Sequence, residues 1–526
     1  MTSRRDLLRL GATALLAPSC ATTRRTPRQV VDSPRTTAWN QALTAPGAEL
    51  NLELGPGAVE GSIPDALRGS RALWNGPALL RLGGRLAHPF DGHGLVRDYA
   101  FLADGGVRFT SRFVDTEALR AERRAGRLVH RGIGTLPYDV DEADGPAKNR
   151  AAPALKNVAN TTLTDFGGRL LAGWEGGAPH ALDRASLATL GLERFGVLEE
   201  TDAFLAHTRL DRRRNVMVGL TPRPGRTSAL TFRELGPDFV ERVHVDVTLE
   251  SPSFVHDFVI TDRFYVLALN PLSVNLLTYF SMTRGTATLM DMLATAPEKA
   301  RAVVLVPRPP PDARGARTAQ ATLVSTPAPV FAVHYAQAFD DGGAVVLDVC
   351  AFEDFTFGQE FGFTGPTTPL DPSLQDERRP QRLVRLRLDP EARTSTAQVL
   401  SKQGVDFPRV HPELDGVKAP LMVAATRADL AHSDPFDSVM SLDLIDLERP
   451  EQVWTSPADT FVGEPLFVPT PGGALDEGHL VACVTDAPRG KTHLVVLDPK
   501  SLARGPLARV EVPLLPYAFH GVSLRG

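Results

Sequence analysis

The sequence predicts an all-β protein, either a propeller or a large barrel-sandwich. Three observations carry this reading. The 526 residues include 44 Gly and 43 Pro, a density of turn formers that suits many short strands and no long helices. Short apolar segments alternate with polar residues and end in turn signals along most of the chain. Windows with a helical period are few, the better ones being 116–127 and 289–302. Composition narrows the class further. Hydrophobic residues at 43% and charged residues at 23% exclude a disordered chain, a collagen-like fibre and a polytopic membrane protein. A formal net charge of -5, from 57 Lys+Arg against 62 Asp+Glu, implies no nucleic-acid-binding surface. Three Cys exclude a disulfide scaffold, and 13 His make imidazole the expected donor to any transition metal.

Residues 1–25 read as an address and not as fold. Ser3-Arg4-Arg5-Asp6-Leu7-Leu8-Arg9 is a twin-arginine pattern, and the apolar run from Leu10 to Ala17 is far shorter than the roughly 20 residues that span a bilayer. The expected destination is the periplasm. Ala17-Pro18-Ser19-Cys20 resembles a lipoprotein cleavage box with two atypical positions, which leaves lipidation of Cys20 open. Residues 26–50 read as a linker, and 51–526 as a single domain.

Within that domain the hairpins read directly. Val384, Leu386 and Leu388 alternate with Arg385 and Arg387, Asp389-Pro390 turns, and Ala397 to Leu400 returns. His479 to Thr485, the turn at Pro488-Arg489-Gly490 and Thr492 to Leu497 repeat the design, and Gly343 to Phe352 is a further strand. Cys350 and Cys483 fall in such runs and read as buried thiols. Residues 307–326, rich in Pro, Arg and Ala, read as a surface loop. No sequence repeat fixes a blade count.

Four of the histidines have distinctive neighbours: His207 in Leu205-Ala206-His207-Thr208, His256 in Val255-His256-Asp257-Phe258, His334 in Val333-His334-Tyr335, and His520 in Phe519-His520-Gly521. Successive gaps of 49, 78 and 186 residues are too wide for a zinc finger or a helical His pair. Strands far apart in sequence can still converge on a propeller axis. Taken singly, each is better explained as a satisfied core or loop histidine than as a ligand, and spacing alone does not select these four.

Context does. Gly61-Ser62-Ile63-Pro64, Trp74-Asn75-Gly76-Pro77, His88-Pro89-Phe90-Asp91-Gly92-His93-Gly94-Leu95, Asn157-Val158-Ala159-Asn160-Thr161 and Gly168 to Gly177 run in an order that, with His256-Asp257-Phe258 and Phe519-His520-Gly521, resembles the carotenoid cleavage oxygenase family over essentially 61–526. The resemblance implies a seven-bladed β-propeller with a small helical cap over its top face. It implies an Fe(II) held by His207, His256, His334 and His520, with Glu175, Asp406 and Glu464 orienting His256, His334 and His520 in turn. Asp406 departs from the Glu usual there; being one methylene shorter, it needs a closer backbone or a bridging water. Thr161 matches a position whose methyl group limits one coordination site.

The activity so implied is dioxygen-dependent cleavage of a C=C bond of a carotenoid or apocarotenoid to two carbonyl products, with no organic cofactor. Phe113, Trp174, Phe254 and Phe407 are the expected aromatic wall of the substrate tunnel, where ring faces stabilise positive charge on a polyene. Trp174 stands before Glu175 where the stilbene-cleaving branch carries a Lys, which favours a carotenoid-type substrate over a hydroxystilbene. Leu272, Leu276, Leu277 and Phe280 fall where family members carry a membrane-dipping patch, and peripheral membrane contact is expected; a buried strand and loop is the competing reading. Stilbene cleavage is the alternative enzyme reading. A propeller that binds an apolar ligand without catalysis is the alternative of a different class.

Overall fold

The computed structural model describes residues 33–525 except 138–154, 224, 226, 284, 354, 359–360, 364–369, 372–380, 402 and 428–434. The export signal read in residues 1–25, with Cys20, lies outside the described residues.

The two hairpins legible in sequence show how the blades form. Arg382–Asp389 pairs antiparallel with Thr394–Val399, and the Asp389 carboxylate closes the turn by accepting from the backbone N–H of Glu391 and Ala392. Gly478–Asp486 pairs with Lys491–Leu497 through a turn in which Gly490 takes a φ of 65°, where a side chain would be strained. Cys350 and Cys483 are free and buried on such strands.

Seven sheets built this way surround one axis. Numbered in ring order, blade 1 holds Leu50–Leu54, Ser70–Trp74, His93–Phe101, Val107–Phe113 and Gly521–Arg525. Blade 2 spans 162–192, blade 3 spans 209–249, blade 4 spans 259–325, blade 5 spans 331–399 and blade 6 spans 406–455. Blade 7 runs from Phe461 to Pro513 and takes in Val59–Gly61. Blades 1 and 7 therefore each combine strands from opposite ends of the chain. The strands nearest the axis touch from blade to blade, and apolar clusters such as that of Val266, Leu305, Val345 and Leu386 fill the spaces between sheets.

Helices are few among the described residues. Glu117–Ala125 starts with Thr116 accepting from the Leu119 N–H, as the 116–127 window predicts. The other helical window is corrected. Only Leu289–Met292 is helical; Leu293–Thr295 is a strand and Ala302–Pro307 begins another, with Pro297 in between, which a continuing helix would not accommodate. The 307–326 loop reading is also corrected. Gly315–Thr318 adds in parallel to blade 3 and Thr322–Ser325 adds to blade 4. Within 26–50, read as a linker, Pro34–Thr44 is a helix capped by Ser33, and its Trp39 is buried with the indole N–H donating to the Phe361 carbonyl at 2.9 Å.

Candidate metal centre and its cavity

The four histidines, the three carboxylates and Thr161 each stand at or near the inner strand of their blade. His207 precedes Arg209–Asp211 of blade 3, and His256 precedes Val259–Ile260 of blade 4. His334 lies in Phe331–Asp341 of blade 5, and His520 precedes Gly521–Arg525 of blade 1. Asp406 opens blade 6, Glu464 sits between two inner strands of blade 7, and Thr161 and Glu175 flank the first hairpin of blade 2. All seven blades thus contribute to one point on the axis.

The four histidines each place one ring nitrogen within 4.8 Å of the others. His256 Nε2 and His334 Nε2 are 3.2 Å apart. Behind the rings stand the carboxylates. His334 Nδ1 donates to Asp406 at 2.7 Å, His520 Nδ1 donates to Glu464 at 3.0 Å, and His256 Nδ1 contacts Glu175. His207 has no carboxylate behind it, and its Nε2 is buried without a hydrogen-bond partner.

This arrangement tests whether a metal fits. A carboxylate only accepts, so the facing Nδ1 carries the proton and Nε2 keeps its lone pair. Three lone pairs and the orphaned His207 Nε2 then converge with no donor between them. Two imidazole nitrogens about 2.1 Å from one ion at a right angle would sit about 3 Å apart, close to the 3.2 Å seen. The set is all-imidazole, which suits first-row transition metals.

Electrostatics agree. Burial, and then the neighbouring rings of His520, His256 and His334, hold His207 well below the ordinary imidazole range. Burial also lowers His520, which Glu464 offsets in part. For His334 burial is outweighed by Asp406, and the ring sits above its ordinary value. Burial pushes the Asp406 carboxyl up, but His334 brings it below the carboxylate range.

The missing methylene of Asp406 is met by the backbone. The register shifts between Asp406 and Arg409, Phe407 takes a φ of 52°, and the contact to His334 is direct. The same Oδ1 accepts from the Phe407 N–H at 2.9 Å.

The sequence motifs hold this centre in place. Asn75 donates its N–H to the His520 carbonyl at 2.9 Å and accepts from Phe519 N at 2.8 Å. Asn160 Nδ2 donates to the carbonyls of Phe90 and Gly92. Arg209, two residues past His207, pairs with Asp257, next to His256, and so ties the two histidine segments together.

A cavity of about 400 Å³ opens against the centre. Trp174, Phe254, Phe407 and Thr161 line it, together with Glu175, His256, His334, Asp406 and His520. Phe407 lies 5.2 Å from the rings of both His334 and His520. His207 and Glu464 do not reach the wall. Phe113 does not either. It alternates with Val107 and Phe109 toward the apolar cluster between blades 1 and 7, under the Arg123 guanidinium at 4.4 Å. Sequence reasoning missed much of the wall: Trp39, Phe90, Phe355, Phe357, Tyr517 and Phe519. Phe90 and Phe519 sit inside motifs already singled out, and that adjacency was the usable signal.

Of the expected membrane patch, Leu272 lines the cavity and lies in the strand Leu272–Val274. Leu276 opens the helix Leu276–Thr283, on which Leu277 is 81% and Phe280 55% exposed. No helix among the described residues is long and apolar enough to cross a membrane.

Comparison with known proteins agrees with this geometry. The family model described as retinal pigment epithelial membrane protein matches residues 45–522. Apocarotenoid-15,15'-oxygenase of Synechocystis sp. is 32% identical over 477 residues, covering 88% of this chain and 91% of that one. The chloroplastic carotenoid cleavage dioxygenase 7 of Oryza sativa subsp. japonica is 29% identical, covering 88% and 87%. The crystal structure of the cobalt-substituted Synechocystis apocarotenoid oxygenase superposes with a TM-score of 0.82 at 29% identity, covering 95% of this chain and all of that one.

Proposed function

Because the chain belongs to the carotenoid cleavage oxygenase family, we propose that it is an Fe(II) enzyme that cleaves one C=C bond of an apocarotenoid with O2 and releases two carbonyl products. It is an oxidoreductase of the dioxygenase type. One observation carries the finer reading: four imidazole nitrogens converge beside an aromatic-lined cavity that three of the histidines line, and those three rings are backed by carboxylates.

His207, His256, His334 and His520 would hold the iron, which when bound supplies the one-electron chemistry that O2 needs to react with an alkene. Glu175, Asp406 and Glu464 keep the protons on Nδ1 and the lone pairs on Nε2. The Thr161 hydroxyl donates to Asn160 at 3.1 Å, which leaves its methyl as the group that limits access to one side of the centre. The rings of Phe254 and Phe407 exclude water and present π-faces to positive charge developing along the polyene. Trp174, ahead of Glu175 on the cavity wall, gives a phenol no cationic partner there and favours a carotenoid-type chain over a hydroxystilbene.

The exposed Leu277 and Phe280 beside cavity-lining Leu272 support peripheral contact with a bilayer, from which an apolar substrate would be drawn. The Arg4-Arg5 pattern supports export by the twin-arginine route to the periplasm; conversion of both to Lys should retain the protein in the cytoplasm.

The central test is metal analysis of the purified chain followed by incubation with an apocarotenal and a hydroxystilbene under O2. Iron near one per chain and aldehyde from the apocarotenal are expected, and His520→Ala should lose both. Absence of iron after reconstitution, with no product from either substrate, would overturn the proposal.

A further inference from the structure

Three of the four histidines meet a carboxylate at Nδ1, and His207 does not. Its backbone is braced instead. On one flank, blade 2 reaches the residues on either side of it. Thr162 Oγ1 donates to the Ala206 carbonyl at 2.6 Å, and the hydroxyls of Thr164 and Thr208 share a hydrogen bond of 2.8 Å. On the other flank stands Arg209, whose side chain is 12% exposed. Its Nη2 donates to the Asp257 carboxylate and its Nε to the Phe258 carbonyl, so one guanidinium holds the two residues that follow His256. The other Asp257 oxygen accepts from the Phe258 N–H at 2.7 Å, which fixes the carboxylate in turn.

A segment of blade 6 joins them. Asp415, between the strands Asp406–Val410 and Leu421–Thr426, accepts from the Leu210 N–H at 2.8 Å and stands 3.6 Å from Arg209 Nη1. Blades 3 and 6 are three places apart in a ring of seven, so they can meet only at the axis. Arg209, Asp257 and Asp415 do not line the cavity. The clamp therefore sits on the axis beside the histidines and off the cavity wall.

A guanidinium presents its donors in a rigid planar fork. Two contacts from one fork set both the distance and the angle between the segments it joins. Here these are the segments of His207 and His256, whose rings lie 4.7 Å apart at 62°. The His256 ring is itself oriented by Glu175.

On the proposed function as premise, we propose that Arg209 is a positioning residue for the metal centre. It does for His207, through the backbone, what a carboxylate does for each of the other three rings: it refers His207 to the already oriented His256. Arg209 acts through His207 and takes no part in bond cleavage.

The test must separate position from charge. Loss of a cation near a metal favours metal binding, and loss of the fork disfavours it, so Arg209→Met alone mixes opposed effects. Arg209→Lys keeps the charge and loses the fork. Arg209→Met combined with Asp257→Asn unties the segments and leaves the net charge unchanged. Co(II) is titrated into the full-length, metal-free protein against a coloured chelator; the ligand-field spectrum with Co(II) and the Tm without metal are recorded alongside. Arg209→Lys should weaken Co(II) binding about threefold or more. The charge-balanced pair should weaken it about tenfold or more, as loss of a ligand's outer partner does. Both should shift the ligand-field bands. A merely structural pair would lower the Tm while leaving the Kd within twofold and the bands in place. That result in either variant, or tighter binding by the charge-balanced pair, would overturn the assignment and leave the proposed function standing. If the pair fails to fold, Arg209→Lys decides alone. A parent that binds no Co(II) would overturn the proposed function itself.

Discussion

Asp406→Asn isolates what a carboxylate does for the metal centre. Asp406 Oδ1 accepts from His334 Nδ1 at 2.7 Å and from the Phe407 N–H at 2.9 Å. An amide oxygen can occupy the same place, so shape and both bonds persist and only the charge is lost. Hydrogen bonds to a charged acceptor contribute about 1.5–3 kcal/mol, against about 0.5–1.5 for neutral pairs. The difference at His334, about 1–1.5 kcal/mol, corresponds to roughly tenfold in metal affinity, the low end of what loss of such a partner costs. The pH dependence has a definite sign. Asp406 holds the His334 ring above its ordinary value, so in the parent a proton competes with the metal at Nε2 as soon as the medium turns mildly acidic. Without the carboxylate that competition begins at lower pH. The affinity gap should therefore be largest above neutrality and shrink toward pH 5.5. Fe(II) or Co(II) competition against a coloured chelator under anaerobic conditions measures both quantities. A Kd within twofold of the parent at pH 7.5, or a gap that widens on acidification, would refute this account of Asp406.

Further outcomes can be checked independently. Gly94→Ala would place a methyl 2.1 Å from the Ala159 carbonyl oxygen; backbone must move, and a loss of about 1–3 kcal/mol is expected in urea unfolding. His93, Glu122 and Lys156 form a buried cluster, with Glu122 Oε2 at 2.8 Å from His93 Nε2 and 3.1 Å from Lys156 Nζ. Burial foremost lowers His93 from 6.5 to about 4, while Lys156 and His93 outweigh burial and bring Glu122 to about 2. The unfolded chain protonates both groups first, so stability falls as pH drops from 6.5 toward 4 through His93 and on toward 2 through Glu122; replacing His93 by Asn should flatten the upper part, by at most about 3 kcal/mol, in unfolding curves taken at pH 7 and 4. Leu277→Ser with Phe280→Ser should reduce sedimentation with phospholipid vesicles severalfold and leave the far-ultraviolet circular dichroism unchanged; unchanged sedimentation would remove these residues from the membrane contact.

The sequence was readable where one strand face is buried and the other is not, and where ligands carry their own context. The strand holding Val384, Leu386 and Leu388 alternates because it meets blade 4 on one side. Gly315–Thr318 does not, because all four residues are exposed on an added edge strand, and nothing in its composition separates it from a loop. The 289–302 window carries a helical period, but Pro297 interrupts it and the helix stops at Met292. Four histidines scattered over three hundred positions were legible through their neighbours, and their carboxylates through motif order. Phe113 and Phe355 show the limit. One ends a strand and the other follows one, and only the direction of the side chain decides that Phe113 packs between blades 1 and 7 and Phe355 faces the cavity. The buried His93–Glu122–Lys156 cluster joins three segments that no local pattern relates.

The mixed composition of blades 1 and 7 bears on how the protein is made. Synthesis runs from the N-terminus, and three ligands and all three orienting carboxylates precede His520. The strand Ser70–Trp74 must wait for Gly521–Arg525, and Val59–Gly61 for Ala508–Pro513. A chain not yet extended past residue 520 holds at most three of the four imidazoles, and without residues 508–525 its ring is still open. On the proposed function, metal capture waits for that segment, and its loss removes a histidine of the cluster and both seams of the ring at once.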